Sequence, residues 1–92
     1  MAFTVRKKTF AYFTDDHHGD ARRALICKAP FGKQSALVSI QPEQYFVPPY
    51  LGHRGWVGYW LDTPDVDWND AGELMTDAYR LTAPKVLTDR LG

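Results

Sequence analysis

The residues best suited to chemistry fall in three short clusters. Asp15, Asp16, His17, His18 and Asp20 crowd one polar run around Gly19, where carboxylates and imidazoles together suit a divalent metal such as zinc or nickel. Neighbouring side chains on an extended backbone point apart, so His17 and His18 do not readily share one ion, and no second histidine-rich segment supplies the missing ligands. The weak metal set is therefore His17, His18 and Asp20, and the main reading of the run is a turn between strands. The other two clusters are basic. Arg6-Lys7-Lys8 places three cations in succession, and Gly52-His53-Arg54-Gly55 sets an imidazole and a guanidinium between two glycines. Cations presented at turns beside aromatic residues suit contact with a phosphate backbone. The single cysteine, Cys27, follows Leu25 and Ile26 and reads as a small buried hydrophobe. There is no Gly-x-Ser-x-Gly, phosphate-binding glycine loop or His-Glu-x-x-His, and Ser35 and Ser39 are the only serines. No catalytic residues are expected and the chain reads as a non-enzyme without a cofactor.

Composition sets the frame for these clusters. Ninety-two residues make one domain, in which about 60–65% of the unfolded surface can be buried. Three Trp, five Tyr and five Phe with the aliphatic residues suffice for a core. One cysteine excludes an internal disulfide, and no run approaches a signal peptide or the roughly 20 apolar residues of a membrane span. A cytoplasmic protein without membrane contact is expected. The formal net charge is zero, but basic residues outnumber acids before Val47 and acids outnumber bases after it. A neutral chain of this kind can still carry a basic face.

The elements that must position the clusters follow from periodicity. Residues 3–13 read as strand, with the apolar phase shifting between Phe3/Val5 and Phe10/Tyr12, which predicts a hairpin turn or bulge across Arg6-Lys7-Lys8. Residues 24–28 should pair antiparallel with residues 9–13, joined by the acidic, histidine-bearing loop. Residues 33–40 suit a short helix with Ala36, Leu37 and Ile40 on one side, and Glu43-Gln44-Tyr45-Phe46 suit one further helical turn after Pro42. Pro48 and Pro49 stiffen the approach to a buried strand over residues 56–61, in which Trp56, Tyr59 and Trp60 read as core. The last helix starts at Asp67 as N-cap, with Asp70 in the capping-box position and a stripe of Ala71, Leu74, Met75, Ala78, Leu81 and Thr82. This helix is expected to pack on the 56–61 strand through Leu74, Ala78 and Leu81. Pro84 bends or restarts it.

The chain resembles the MmcQ/YjbR family of small bacterial proteins, whose members look like the frataxin homologue CyaY in fold. The resemblance rests on Lys8-Thr9-Phe10-Ala11-Tyr12-Phe13, the Asp15–Asp20 run, Lys28-Ala29-Pro30, Phe46-Val47-Pro48-Pro49-Tyr50-Leu51-Gly52-His53-Arg54-Gly55-Trp56-Val57-Gly58, Asp67-Trp68, and Asp77-Ala78-Tyr79-Arg80-Leu81-Thr82-Ala83-Pro84-Lys85. It covers nearly the whole chain and implies one α+β domain over residues 1–92, an antiparallel sheet with helices on one face. It also implies an N-terminal helix that this sequence lacks. The sheet face left open by that helix implies lower stability or a homodimer. Family members are commonly described as DNA-binding through hairpin wings. Carried over to this chain, that points to Arg6, Lys7, Lys8, His53 and Arg54 as contacts for double-stranded DNA. The alternative is a small-ligand or metal-binding module of frataxin type, although the acids near the first helix that are associated with iron binding have no counterpart here.

Overall fold

A computed structural model describes residues 1–15 and 22–84. The chain runs β1 (Ala2–Val5), β2 (Lys8–Asp15), β3 (Arg23–Cys27), α1 (Lys33–Ile40), β4 (Tyr45–Phe46), β5 (Val57–Trp60) and α2 (Trp68–Thr82). The strands form one sheet in the order β1-β2-β3-β5-β4, and every neighbouring pair is antiparallel. The fold is α+β, as the residue pattern suggests. The run containing His17, His18 and Asp20 lies outside the described residues, as does the segment after Pro84.

The shift of apolar phase in the first strands has two causes. Val5 pairs with Lys8, so the hairpin turn consists of Arg6 and Lys7, both left-handed at φ 51° and 67°. Farther along, Phe3 pairs with Ala11 and Thr4 with Thr9, which leaves Phe10 as the extra residue of a bulge. Phe10 and Ala11 are consecutive yet both buried in the same core. The β2–β3 pair forms as expected, with Ala11 opposite Cys27 and Asp15 opposite Arg23.

The sheet register sorts the remaining side chains. Phe13, Leu25, Tyr59 and Tyr45 lie in one row across the strands, on the face that carries α2. There Leu25, Cys27, Val57 and Tyr59 meet Ala71, Leu74 and Ala78 of the helix. Tyr12, Ile26, Gly58 and Phe46 form a row on the opposite face. The Phe46 ring lies directly over Gly58, where an added Cβ would come within 2.2 Å of it. Phe46 in turn stacks on Trp60 with ring centres 4.1 Å apart.

Four expectations about the elements are corrected. Residues 43–46 are only half a turn: Gln44 N and Tyr45 N both donate to the Gln41 carbonyl at 3.0 Å, but Tyr45 and Phe46 pair with Tyr59 and Gly58, and the Gln44 carbonyl accepts from Trp60 N at 2.9 Å, extending the ladder. The buried Gln44 side chain also donates to the Trp60 carbonyl (2.6 Å) and accepts from Thr63 Oγ1 (2.9 Å), which holds the edge strand in place. The last helix seats mainly on β2 and β3; Leu74 and Ala78 do join Val57 and Tyr59 of β5 in the core, but Leu81 is exposed. A polar link to β5 adds to this: Asp67 N donates to the Tyr59 hydroxyl at 2.9 Å, while the hydroxyl lies 3.3 Å from the Asp67 carbonyl. Asp67 caps the helix by accepting from Asn69 N at 2.8 Å. Tyr59 therefore takes the backbone donor that a capping box would have assigned to Asp70. In α1, Leu37 and Val38 reach the core while Ile40 faces solvent.

Candidate nucleic-acid interface

Antiparallel pairing gathers chain ends that are far apart in sequence. The β1–β2 turn, the end of β3 and the segment leading into β5 all lie at one end of the sheet. Lys8 opens β2 directly after the turn, and Lys28 follows β3, its N–H donating to the Phe10 carbonyl at 3.0 Å. Arg54 comes from a 3-10 turn over Gly52–Arg54, closed by Gly55 in the left-handed conformation at φ 84°. Lys8, Lys28 and Arg54 line one cleft of about 440 Å³ together with Thr9, Tyr12, Leu51, Trp56 and Thr82.

The platform that carries Arg54 is braced from outside. Gln34 of α1 donates from its amide nitrogen to the Gly52 carbonyl (2.8 Å) and to the Trp56 carbonyl (2.6 Å), tying both sides of the 3-10 turn. Gly52 lies so close to Val47 that a Cβ would meet that side chain at 2.4 Å. Pro48 is fully buried, and its carbonyl accepts from Gly52 N at 2.9 Å. Trp56 is buried beside the half-buried Tyr12, with ring centres 6.0 Å apart. Thr82 Oγ1 is buried without a hydrogen-bond partner among the described residues.

Among the described residues the charge of this end is uncompensated. The ion pairs of the described residues join Arg22 to Asp62 (2.8 Å), Arg23 to Asp15 (3.4 Å) and Lys33 to Asp77. Among the described residues, Arg6, Lys7, Lys8, Lys28 and Arg54 have no carboxylate partner. Asp15, the last residue of β2, and Asp62, just after β5, sit at the opposite end, where Arg23 and Arg22 pair with them. The carboxylates at that far end are matched by arginines, whereas the cations at the cleft end have no match among the described residues.

Of the residues proposed from sequence, Lys8 and Arg54 enter the cleft, while Arg6, Lys7 and His53 stand exposed at the same end without lining it. Lys28 was missed because its approach to Lys8 depends on the β2–β3 register, which no local spacing encodes. Among the described residues no group of three or more His, Cys, Asp or Glu is placed to hold a metal ion. Cys27 is wholly buried, and burial pushes its thiol up to about 12, so it stays protonated and unreactive at neutral pH. No helix among the described residues is long and apolar enough to cross a membrane.

No curated protein and no solved structure matches the chain significantly. A family model does: the YjbR model matches residues 1–81, which span both basic turns, the whole sheet and nearly all of α2, and the chain belongs to the YjbR family.

Proposed function

We propose that this protein is a non-enzymatic, cytoplasmic DNA-binding domain that holds the phosphate backbone at the basic end of its sheet. The observation that carries the reading is the cleft in which Lys8, Lys28 and Arg54 converge without a carboxylate among the described residues to neutralise them. Lysine and arginine bind phosphate as charge and as hydrogen-bond donors, and each phosphate so neutralised releases condensed counterions. Arg6 and Lys7 at the hairpin tip extend the same positive surface. His53 adds a donor next to Arg54.

The test is binding of a labelled DNA duplex of about 20 base pairs, followed by fluorescence anisotropy across a salt series. Affinity should fall steeply with salt. A Lys8→Ala/Lys28→Ala/Arg54→Ala variant should bind at least about tenfold more weakly, and the slope of log K against log salt should shrink by about 0.9 for each phosphate that the variant no longer neutralises. Unchanged affinity and slope in that variant overturn the proposal. A second reading is favoured by the enclosure of the same cleft: its volume lies in the range of small-molecule sites, and Thr82 Oγ1 is an unused polar group at its wall. In that case a small anion such as inorganic phosphate binds measurably by calorimetry and competes with DNA.

A further inference from the structure

We propose that the partner is single-stranded DNA, with the rings of Phe31 and Tyr50 stacking on unpaired bases beside the phosphate cleft. This rests on the DNA-binding reading above and adds to it two residues outside the cleft. Phe31 is 107% exposed and Tyr50 82% exposed, the most exposed aromatic side chains of the described residues. Neither ring contributes to the core, and neither is on a loose segment.

Phe31 stands between Pro30 and Gly32, three residues after Lys28. Its turn is closed by Lys33 N donating to the Pro30 carbonyl (3.1 Å) and by Gly32, left-handed at φ 86°, which serves as N-cap of α1. Tyr50 follows Pro48 and Pro49 and is itself left-handed at φ 66°, a conformation that costs a tyrosine free energy. Leu51 N donates to the Pro49 carbonyl at 2.7 Å and Gly52 N to the Pro48 carbonyl at 2.9 Å, so the turn that displays Tyr50 is tightly bonded. Leu51, the next residue, lines the cleft. Both chain segments that bring a cation to the cleft, one ending in Lys28 and one in Arg54, thus also display a solvated ring on a braced turn.

Phosphate contact alone has no use for those rings. A duplex keeps its base faces inside the stack, whereas a single strand offers them, and a positive groove flanked by aromatic rings is the arrangement that binds such strands without sequence preference. Tyr12 and Trp56 are too enclosed for that role, being half-buried and buried.

The test compares the wild type, Phe31→Ala/Tyr50→Ala and Lys8→Ala/Lys28→Ala/Arg54→Ala on an oligothymidylate of about 20 nucleotides and on a duplex of equal length. The wild type should prefer the single strand. Removing both rings should weaken single-strand binding by about tenfold or more while leaving duplex affinity and the salt slope unchanged. Single-strand affinity that survives in Phe31→Ala/Tyr50→Ala, a wild type that prefers duplex, or an equal weakening on both DNAs overturns the stacking proposal alone. If the cleft variant binds both DNAs as the wild type does, the phosphate-binding reading itself fails. Both rings are exposed, so the substitutions leave the core intact, and an unchanged thermal transition verifies this.

Discussion

At the scale of single residues, Asp62 shows how the side of the sheet that no helix covers among the described residues is held. Its carboxylate accepts from Arg22 Nε and Nη2 and from Arg23 N, at distances of 2.8–3.3 Å. The Arg22 guanidinium lies 3.8 Å over the Trp60 ring, Trp60 stacks on Phe46, and Phe46 covers Gly58. The Arg22 hydrogen bonds, with help from Arg23 N, draw the Asp62 carboxyl from 3.8 down to about 2. Because the folded value is the lower one, the stabilisation is present above about pH 4 and is lost as pH falls towards 2. Solvent around the pair reduces it to about 1 kcal/mol. Urea unfolding of the wild type and Asp62→Asn across that window should show a stability difference at neutral pH that closes as pH falls; a constant difference would contradict this. Gly58 makes a second prediction. Gly58→Ala should destabilise by about 2 kcal/mol, since its Cβ would strike the Phe46 ring. In a double-mutant cycle with Phe46→Ala the two losses should be less than additive.

At the scale of elements, the hairpin between β1 and β2 sets stability against function. A two-residue turn with both residues left-handed favours Asn-Gly, and here it is built from Arg6 and Lys7. Arg6→Asn/Lys7→Gly should raise unfolding stability by about 1 kcal/mol and weaken DNA binding several-fold, measured by chemical denaturation and anisotropy. A less stable variant would show that the turn is not strained. The hairpin was legible in the sequence because the apolar phase changes over a few residues, and the bounds of α1 and the Asp67 cap were legible for the same local reason. β4 was not, since Tyr45 and Phe46 become strand only by pairing with β5, and Pro42-Glu43-Gln44 before them also suits a helix start. The seating of α2 on β2 and β3 follows from the order β1-β2-β3-β5-β4, which leaves no periodic trace. Lys28 escaped notice on the same ground: it joins Lys8 and Arg54 through strand pairing. What was readable of the site was the sign of its charge and two of its three cations.

At the scale of the whole molecule, the basic end is one feature and an open apolar flank is the other. Beside α2 runs a groove of about 440 Å³ lined by Met1, Phe3, Phe13, Leu25, Leu61, Trp68, Ala71, Gly72 and Met75. The face of α2 that borders it carries Trp68, Gly72, Met75, Thr76 and Tyr79, with no charged residue, whereas Asp70, Glu73, Asp77 and Arg80 lie elsewhere on the helix. Trp68 is 69% exposed, and among the described residues nothing outside the helix backbone stands within 4 Å of where a Gly72 Cβ would be, so one copy offers both a ring and a recess. A two-fold pair uses the same patch on each subunit, and Trp68 of one copy against Gly72 of the other meets that condition. A stable pair needs about 800 Å² from each partner, a modest share of a total surface of 6018 Å². We therefore expect concentration-dependent dimerisation in sedimentation velocity, abolished by Trp68→Glu. Glutamate in the first turn of α2 suits the helix dipole, so the variant should remain folded. The groove lies along the flank of α2 and shares no lining residue with the cleft of Lys8, Lys28 and Arg54, so DNA affinity per subunit should persist in Trp68→Glu. A wild type that stays monomeric throughout the concentration series would remove the second copy as occupant of this groove.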